Sequence, residues 1–238
     1  MALTVHSYDP DEAGDPLDVV SPASPPAGPS PVPTAEGYAQ HLARLRPTTL
    51  AVERTLPVAE DLGHLLPRGV LTRGSVVGVS GPGAVSLTVA LVAAASQQGS
   101  WSGWIACADL GWAAVADAGV DLSRVVAVPE VPAGEWATIT AALVDAVDVV
   151  VTSPAQTVRA VDARRLAARI RERGGVLVVT APRQRWPYEP DVHLRCEGGR
   201  WEGVGRGFGH LRARRLTVVG GGRRGAALHR RVDLALPA

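Results

Sequence analysis

Residues 75–88, SVVGVSGPGAVSLT, have the layout of phosphate chemistry: an apolar strand, a glycine turn and the start of an apolar helix. A phosphate-binding loop reads G-x-x-x-x-G-K-[ST]. Its backbone N–H groups cradle the phosphates, its lysine reaches the terminal ones and its hydroxyl holds Mg²⁺. On that pattern Gly81 takes the first glycine and Thr88 the final position, with Gly83 inside the turn. Ser86 stands at the second glycine and Leu87 at the lysine. No other lysine exists to replace it, because all 24 basic residues of the 238-residue chain are arginine. Arginine is not a substitute for lysine at a point-charge phosphate contact. Backbone N–H groups at a helix start can hold an anion, but Val85 and Leu87 make this loop apolar. The expectation is a tight βα turn without a ligand and a chain without enzymatic activity or cofactor.

The other reactive residue types offer less. Cys107 and Cys196 do not make a disulfide scaffold, and no spacing matches a metal site. The six histidines are scattered and read as surface or capping residues. Cys107 has no nearby His or Lys to lower its pKa and reads as a small buried hydrophobe. Trp101, Trp104 and Trp112 read as core or interface packing. Arg183, Arg185, Trp186 and Tyr188 interleave cations with aromatics on a predicted loop, which suits stacking on single-stranded bases or gripping a peptide. Arg164, Arg165, Arg169, Arg171 and Arg173 read mostly as a solvated helix face.

Charge is unevenly distributed about a net of +1: residues 1–43 carry −6, residues 44–155 carry −4 and residues 156–238 carry +11. A basic third on an acidic remainder implies a directional surface for nucleic acid or an acidic protein segment. Arg206, Arg212, Arg214, Arg215, Arg223, Arg224, Arg230 and Arg231 fall within 26 residues that contain no acid. Such a cluster needs a counter-charge or wide exposure and fits a binding edge better than a buried sheet. The absence of both Lys and Asn also looks like the imprint of a GC-rich genome, which weakens arguments from arginine number alone.

The elements that must position these residues follow from periodicity. Residues 1–34, rich in Pro, Ser, Asp and Ala, are expected to be a disordered acidic arm. Residues 35–58 are expected to form a helix and a short strand, with Thr34 as cap and Pro47 as stop. Residues 59–238 are the expected core. Strands are predicted at 75–80, 101–107, 124–129, 147–153 and 175–182, with helices after the glycine turn and at 110–119, 134–146 and 157–174. Val161, Leu166 and Ile170 are placed on the apolar side of the last helix. This βα alternation, with 46% apolar residues, predicts a buried parallel sheet under helices. After Pro190 the pattern changes: VHLRCEGGRWEGVG predicts a hairpin turning at its Gly-Gly pair, and RRLTVVG and AALHRRVDL predict further antiparallel edge strands. No apolar run reaches the ~18 residues of a membrane span. The start of the chain lacks an apolar signal core, so a soluble cytoplasmic protein is expected.

The order of these segments resembles the core of the RecA recombinase family over about residues 50–234. LPRGVLTRGSVVGVSGPGAVSLTVALVAAASQQG resembles the family's stretch before, through and after its phosphate loop. DAGVDLSRVVAVPE resembles the following helix end and strand, VDVVVTSPA sits at the Walker B strand, and VLVVTAP resembles the next one. The catalytic positions depart. Leu87 replaces the lysine, Ser153 stands at the Mg²⁺-holding aspartate, and Ala108, beside Asp109, stands at the catalytic glutamate. The family's two DNA-binding loops are shortened to SPAQTV (153–158) and PRQRWPYEP (182–190).

Among relatives without ATPase residues, the chain is most similar to the actinobacterial ImuA-type proteins. That resemblance implies a RecA-like α/β fold and a non-catalytic subunit of a DNA-damage-induced translesion synthesis mutasome. The partners it implies are an ImuB-like inactive Y-family polymerase and, indirectly, an error-prone C-family DNA polymerase and the sliding clamp. It also implies nucleoid association on damage. The expected contacts are Arg183, Arg185, Trp186, Arg212, Arg214, Arg215, Arg223, Arg224, Arg230 and Arg231. The alternatives are a SulA-like division inhibitor, which shares the degenerate RecA-like core, or a RecA modulator binding single-stranded DNA weakly.

Overall fold

A computed structural model of the protein describes residues 55–132, 134–154, 156–180, 185–204, 208–223 and 231–237. The expected acidic arm and most of the 35–58 element lie outside the described residues. The remainder is an α/β domain with a mixed sheet, mostly parallel, flanked by helices and completed by antiparallel strands near the C-terminus.

A small antiparallel pair opens it, β1 (Thr55–Leu56) with β2 (Leu71–Thr72), around the short helix α1 (Glu60–Gly63). Between them Arg68, at φ 60°, and Gly69, at φ 73°, turn the chain through the left-handed region. The core then runs β3 (Ser75–Ser80), α2 (Ala84–Gln97), β4 (Ser102–Ile105), α3 (Trp112–Asp117), β5 (Val125–Val128), α4 (Trp136–Ala146), β6 (Val149–Thr152), α5 (Ala160–Arg173) and β7 (Val176–Thr180). Three long strands follow: β8 (Val192–Val204), β9 (Gly209–Gly221) and β10 (Arg231–Pro237). The order across the sheet is β10-β9-β8-β3-β7-β6-β4-β5. Pairing is parallel from β8 through β3, β7, β6 and β4 to β5, and antiparallel between β8, β9 and β10.

The physical reason for this layering is in the strands. β3, β6 and β7 are almost entirely Val, Leu, Gly, Ser and Thr and are buried on both faces, as parallel strands under helices must be. One face packs Val77, Val79, Val149 and Val178 against Leu87, Leu91 and Val92 of α2, with Leu216, Val218, Leu234 and Leu236 of β9 and β10 in the same cluster. The other packs Val76, Val150, Leu177 and Val179 against Ile139 and Leu143 of α4 and Leu166 and Ile170 of α5. Among the described residues no helix is long and apolar enough to cross a membrane.

Two sequence expectations fail here. The Gly198-Gly199 pair does not turn a hairpin. β8 runs straight through it, and the register with β9 slips between Cys196 and Gly199. Gly199 is required because a Cβ there would lie 2.3 Å from the Arg215 carbonyl oxygen. Two glycines inside a strand thus mark a bulge rather than a reversal. Val161 is 46% exposed, not packed. At 100° per residue it points well away from Leu166 and Ile170, and Ala163 and Ala167 fill the inner face instead.

The floor of the sheet is held by a buried carboxylate. Asp148, 8% exposed, accepts the Trp101 N–H at 3.0 Å and pairs with Arg73 Nη1 at 2.9 Å. Asp148→Ala would strand a backbone donor and a half-hidden guanidinium. We expect it to lower unfolding free energy by about 3 kcal/mol in urea titration. A loss below about 0.5 kcal/mol would mean that water takes over both partners.

Candidate functional site

The loop after β3 lies where parallel sheets bind ligands, at the carboxyl ends of the strands. Gly81 and Gly83 adopt φ of 91° and 94°, and Gly83 caps α2 in the left-handed conformation. The backbone therefore makes the tight βα turn that its glycines demand. The space above it is filled by the protein itself. A Cβ on Gly81 would stand 2.1 Å from the Cys196 carbonyl oxygen of β8. On Gly83 it would stand 2.6 Å from Leu216 Cδ2 and 3.2 Å from Arg214 Cζ of β9. The glycines serve close approach of β8 and β9.

Four of the positions set against a nucleotide-binding pattern, 86, 87, 88 and 153, are engaged within the protein. Leu87, at the lysine position, is fully buried in the core between α2 and the sheet. Thr88, equally buried, spends its hydroxyl on Thr180 Oγ1 at 2.8 Å. Ser153, which the RecA resemblance sets at the Mg²⁺-holding aspartate, donates to the Thr180 carbonyl at 2.9 Å. A neutral hydroxyl network centred on Thr180 thus occupies the corner where a metal would need carboxylates. Ser86 receives Arg214 Nη1 at 3.3 Å, and the same guanidinium lies 5.0 Å above the Trp201 ring. Ala108 and Asp109 are exposed at the end of β4. Among the described residues no three His, Cys, Asp or Glu side chains converge as metal ligands.

Burial pushes both cysteine thiols above their ordinary value, and only Cys196 has a cation, Arg214, working against it. Cys107 is half-buried rather than enclosed. Of the three tryptophans around β4, Trp104 is the core residue and meets Trp112 edge-on at 6.0 Å.

The cation–aromatic segment is a correction. Trp186 is 5% exposed and packs edge-to-face on Trp136 at 6.4 Å, so it is not available for stacking or partner contact. The segment must carry the chain from β7 back to the start of parallel β8, and its one indole is the anchor of that crossing. Arg185 stays exposed, its carbonyl accepting the Val158 N–H at 2.9 Å. Tyr188 accepts from Arg171 and Arg223, both at 3.1 Å. Arg183 lies outside the described residues.

The arginine cluster is partly neutralised by acids the linear window does not contain. Arg231 pairs with Glu197, and Arg215 with Glu202, both from β8. Arg214 is half-buried at the loop, while Arg212, Arg215, Arg223 and Arg231 are exposed. Arg206, Arg224 and Arg230 lie outside the described residues. On α5, Arg169 and Arg173 clamp Asp145 of α4. Burial alone would raise that carboxyl, but the two guanidiniums hold it below the ordinary carboxylate range. Those two arginines are structural, whereas Arg164 and Arg165 do face solvent.

Taken together, these features define an α/β domain whose glycine turn after β3 is closed over by its own C-terminal strands. The chain belongs to the MT3502 N-terminal domain family, which it matches over residues 64–188. That match stops before β8, so the strands that close the loop lie beyond it. The chain is also similar to the uncharacterized protein Rv3395c of Mycobacterium tuberculosis, with 34% identity over 120 residues. The aligned stretch covers 50% of this chain and 58% of that protein, so the likeness spans little more than half of the relative.

Proposed function

We propose that this protein is a non-catalytic, RecA-like assembly subunit of a DNA-damage-induced translesion synthesis mutasome, and that it binds an ImuB-like polymerase-fold partner. The observation that carries the non-catalytic part is the corner itself: Leu87 buried, Thr88 and Ser153 bound to Thr180, and the loop glycines against β8 and β9. A phosphate group entering there would have to displace a strand. The mutasome part is supported by the resemblance of residues 66–99, 117–130, 147–155 and 176–182 to a RecA-like core stripped of its ATPase residues. A mycobacterial relative fits an actinobacterial ImuA-type protein.

Calorimetry with Mg·ATP should give no binding heat at micromolar protein. Saturable micromolar binding would overturn the closed corner. Co-purification with an ImuB-like protein should give a stable complex whose yield does not depend on ATP. Capture of the division GTPase instead would favour the SulA-like reading. Single-stranded DNA binding that falls steeply with salt would favour the RecA modulator.

A further inference from the structure

We propose that the outer part of the β8–β9 hairpin, residues 199–204 and 208–212, is a docking arm for an acidic, apolar-anchored extended segment of a partner protein. This rests on the proposed function only in taking the partner to be a protein.

The first observation is exposed apolar surface. Among the described residues seven large hydrophobic side chains are exposed, and four of them, Trp201, Val204, Phe208 and Leu211, lie on this arm. Phe208, the one phenylalanine of the chain, is 75% exposed. A concentration of this kind on one short element marks an interaction site more than scattered surface leucines would.

The second is that the sheet stops supporting the arm. β3 pairs with β8 only along Val192–Arg195, and β10 reaches β9 only as far as Ala213. Burial alternates along β8 as far as Cys196 and then gives way to exposure. β10 still flanks β9 opposite Gly199–Glu202, but beyond Glu202 and Ala213 two strands stand alone, and an isolated two-stranded ribbon is marginally stable in water. Val204, Phe208 and Leu211 lie on that free end, 57%, 75% and 46% exposed, so much of their apolar surface stays in water until something covers it.

The third is charge. Arg200, Arg212, Arg214 and Arg215 stand on or beside the arm, and the one carboxylate among them, Glu202, is held by Arg215. The surface therefore favours carboxylates around the apolar anchors. Nucleic acid fits less well. Val204 and Leu211 offer no ring for a base to stack on, and the Trp201 face is covered by the Arg214 guanidinium.

The test uses the full chain, the double variant Phe208→Ser with Leu211→Ser, and four labelled probes. These are a short peptide alternating glutamate with leucine, its lysine counterpart, the ImuB-like partner, and oligo-dT. Because both substituted side chains are exposed, the thermal midpoint should not move. The wild type should bind the glutamate peptide and not the lysine one. The double variant should weaken the glutamate peptide, the polymerase-fold partner, or both by about tenfold or more. Unchanged affinities in the variant, equal binding of the lysine peptide, no binding of either protein ligand, a loss confined to oligo-dT, or self-association that depends on Phe208 would each overturn the proposal. The two readings separate cleanly. If the glutamate peptide binds through Phe208 and Leu211 while the ImuB-like protein does not bind, the mutasome reading falls and the arm stands. If the ImuB-like protein binds wild type and variant alike, as does the peptide, the arm falls and the mutasome reading stands.

Discussion

Leu87→Lys should cripple the fold rather than restore a phosphate site. Position 87 lines up with the lysine of a phosphate loop, so the substitution looks like a repair. Leu87 is, however, fully buried, in one cluster with Leu91, Val92 and Leu216. An ammonium placed there loses its hydration and finds no described carboxylate in that cluster. Adding the lost apolar burial, the cost is on the order of 4 kcal/mol or more. That is a large share of the ~5–15 kcal/mol that holds a domain together. The sign with pH follows. The buried amine has its pKa depressed, so the unfolded state binds the extra proton. The stability deficit should therefore shrink as pH rises from neutrality toward the ordinary lysine range. Leu87→Met, which conserves volume, should cost less than about 1.5 kcal/mol. Urea titrations of the three proteins at two pH values decide it. A well-folded Leu87→Lys protein that binds Mg·ATP would show that the helix can rotate this position toward the loop, and the closed corner would be abandoned.

Gly81→Ala should be nearly as damaging, for a reason of space. Its Cβ would sit 2.1 Å from the Cys196 carbonyl oxygen and 3.1 Å from the Cys196 carbonyl carbon, both backbone atoms that cannot swing aside. The residue also adopts φ 91°, which an L side chain resists. Gly134→Ala separates the two effects. Gly134 has φ 82° but nothing within 4 Å of the added carbon. It should lose about 1 kcal/mol to strain alone. Gly81→Ala should lose about 3 kcal/mol or more, because β8 must withdraw from the loop. Equal losses would mean that β8 does not press on the loop in solution, and the phosphate position would be open.

Both expected outcomes bear on what the glycines of the loop do in a turn that has no lysine. In a nucleotide-binding loop, glycine lets phosphate oxygens approach the backbone. Here it admits a strand carbonyl and a leucine. The same backbone conformation serves packing, so the glycines alone do not reveal which ligand, if any, the turn accommodates.

Much of the architecture was legible from local pattern. The runs of valine in β3, β6 and β7, too apolar to face water on either side, required a parallel sheet covered twice. Glycine turns marked the tight loop between β3 and α2. Pairing across the C-terminal strands was not legible. Gly198 and Gly199 read as a turn because a bulge and a reversal use the same residue type, and only the partner strand selects between them. The Arg and Pro neighbours of Trp186 suit a contact loop and a folded-back ring alike, and Trp136, fifty residues away in sequence, packs against the ring that folds back. The arginine cluster left counter-charge and wide exposure both open, because Glu197 and Glu202 precede it on a strand that folds back beside it.

The amino-acid sequence by itself determined the layers of this protein and the tight glycine turn after its first core strand, because periodicity and residue identity act within a few neighbours. The tertiary structure alone decided what lies against that turn. That outcome depends on β8 and β9, more than a hundred residues downstream, bringing a carbonyl, a leucine and a guanidinium onto two glycines, and contacts between segments so far apart leave no local signature in either one.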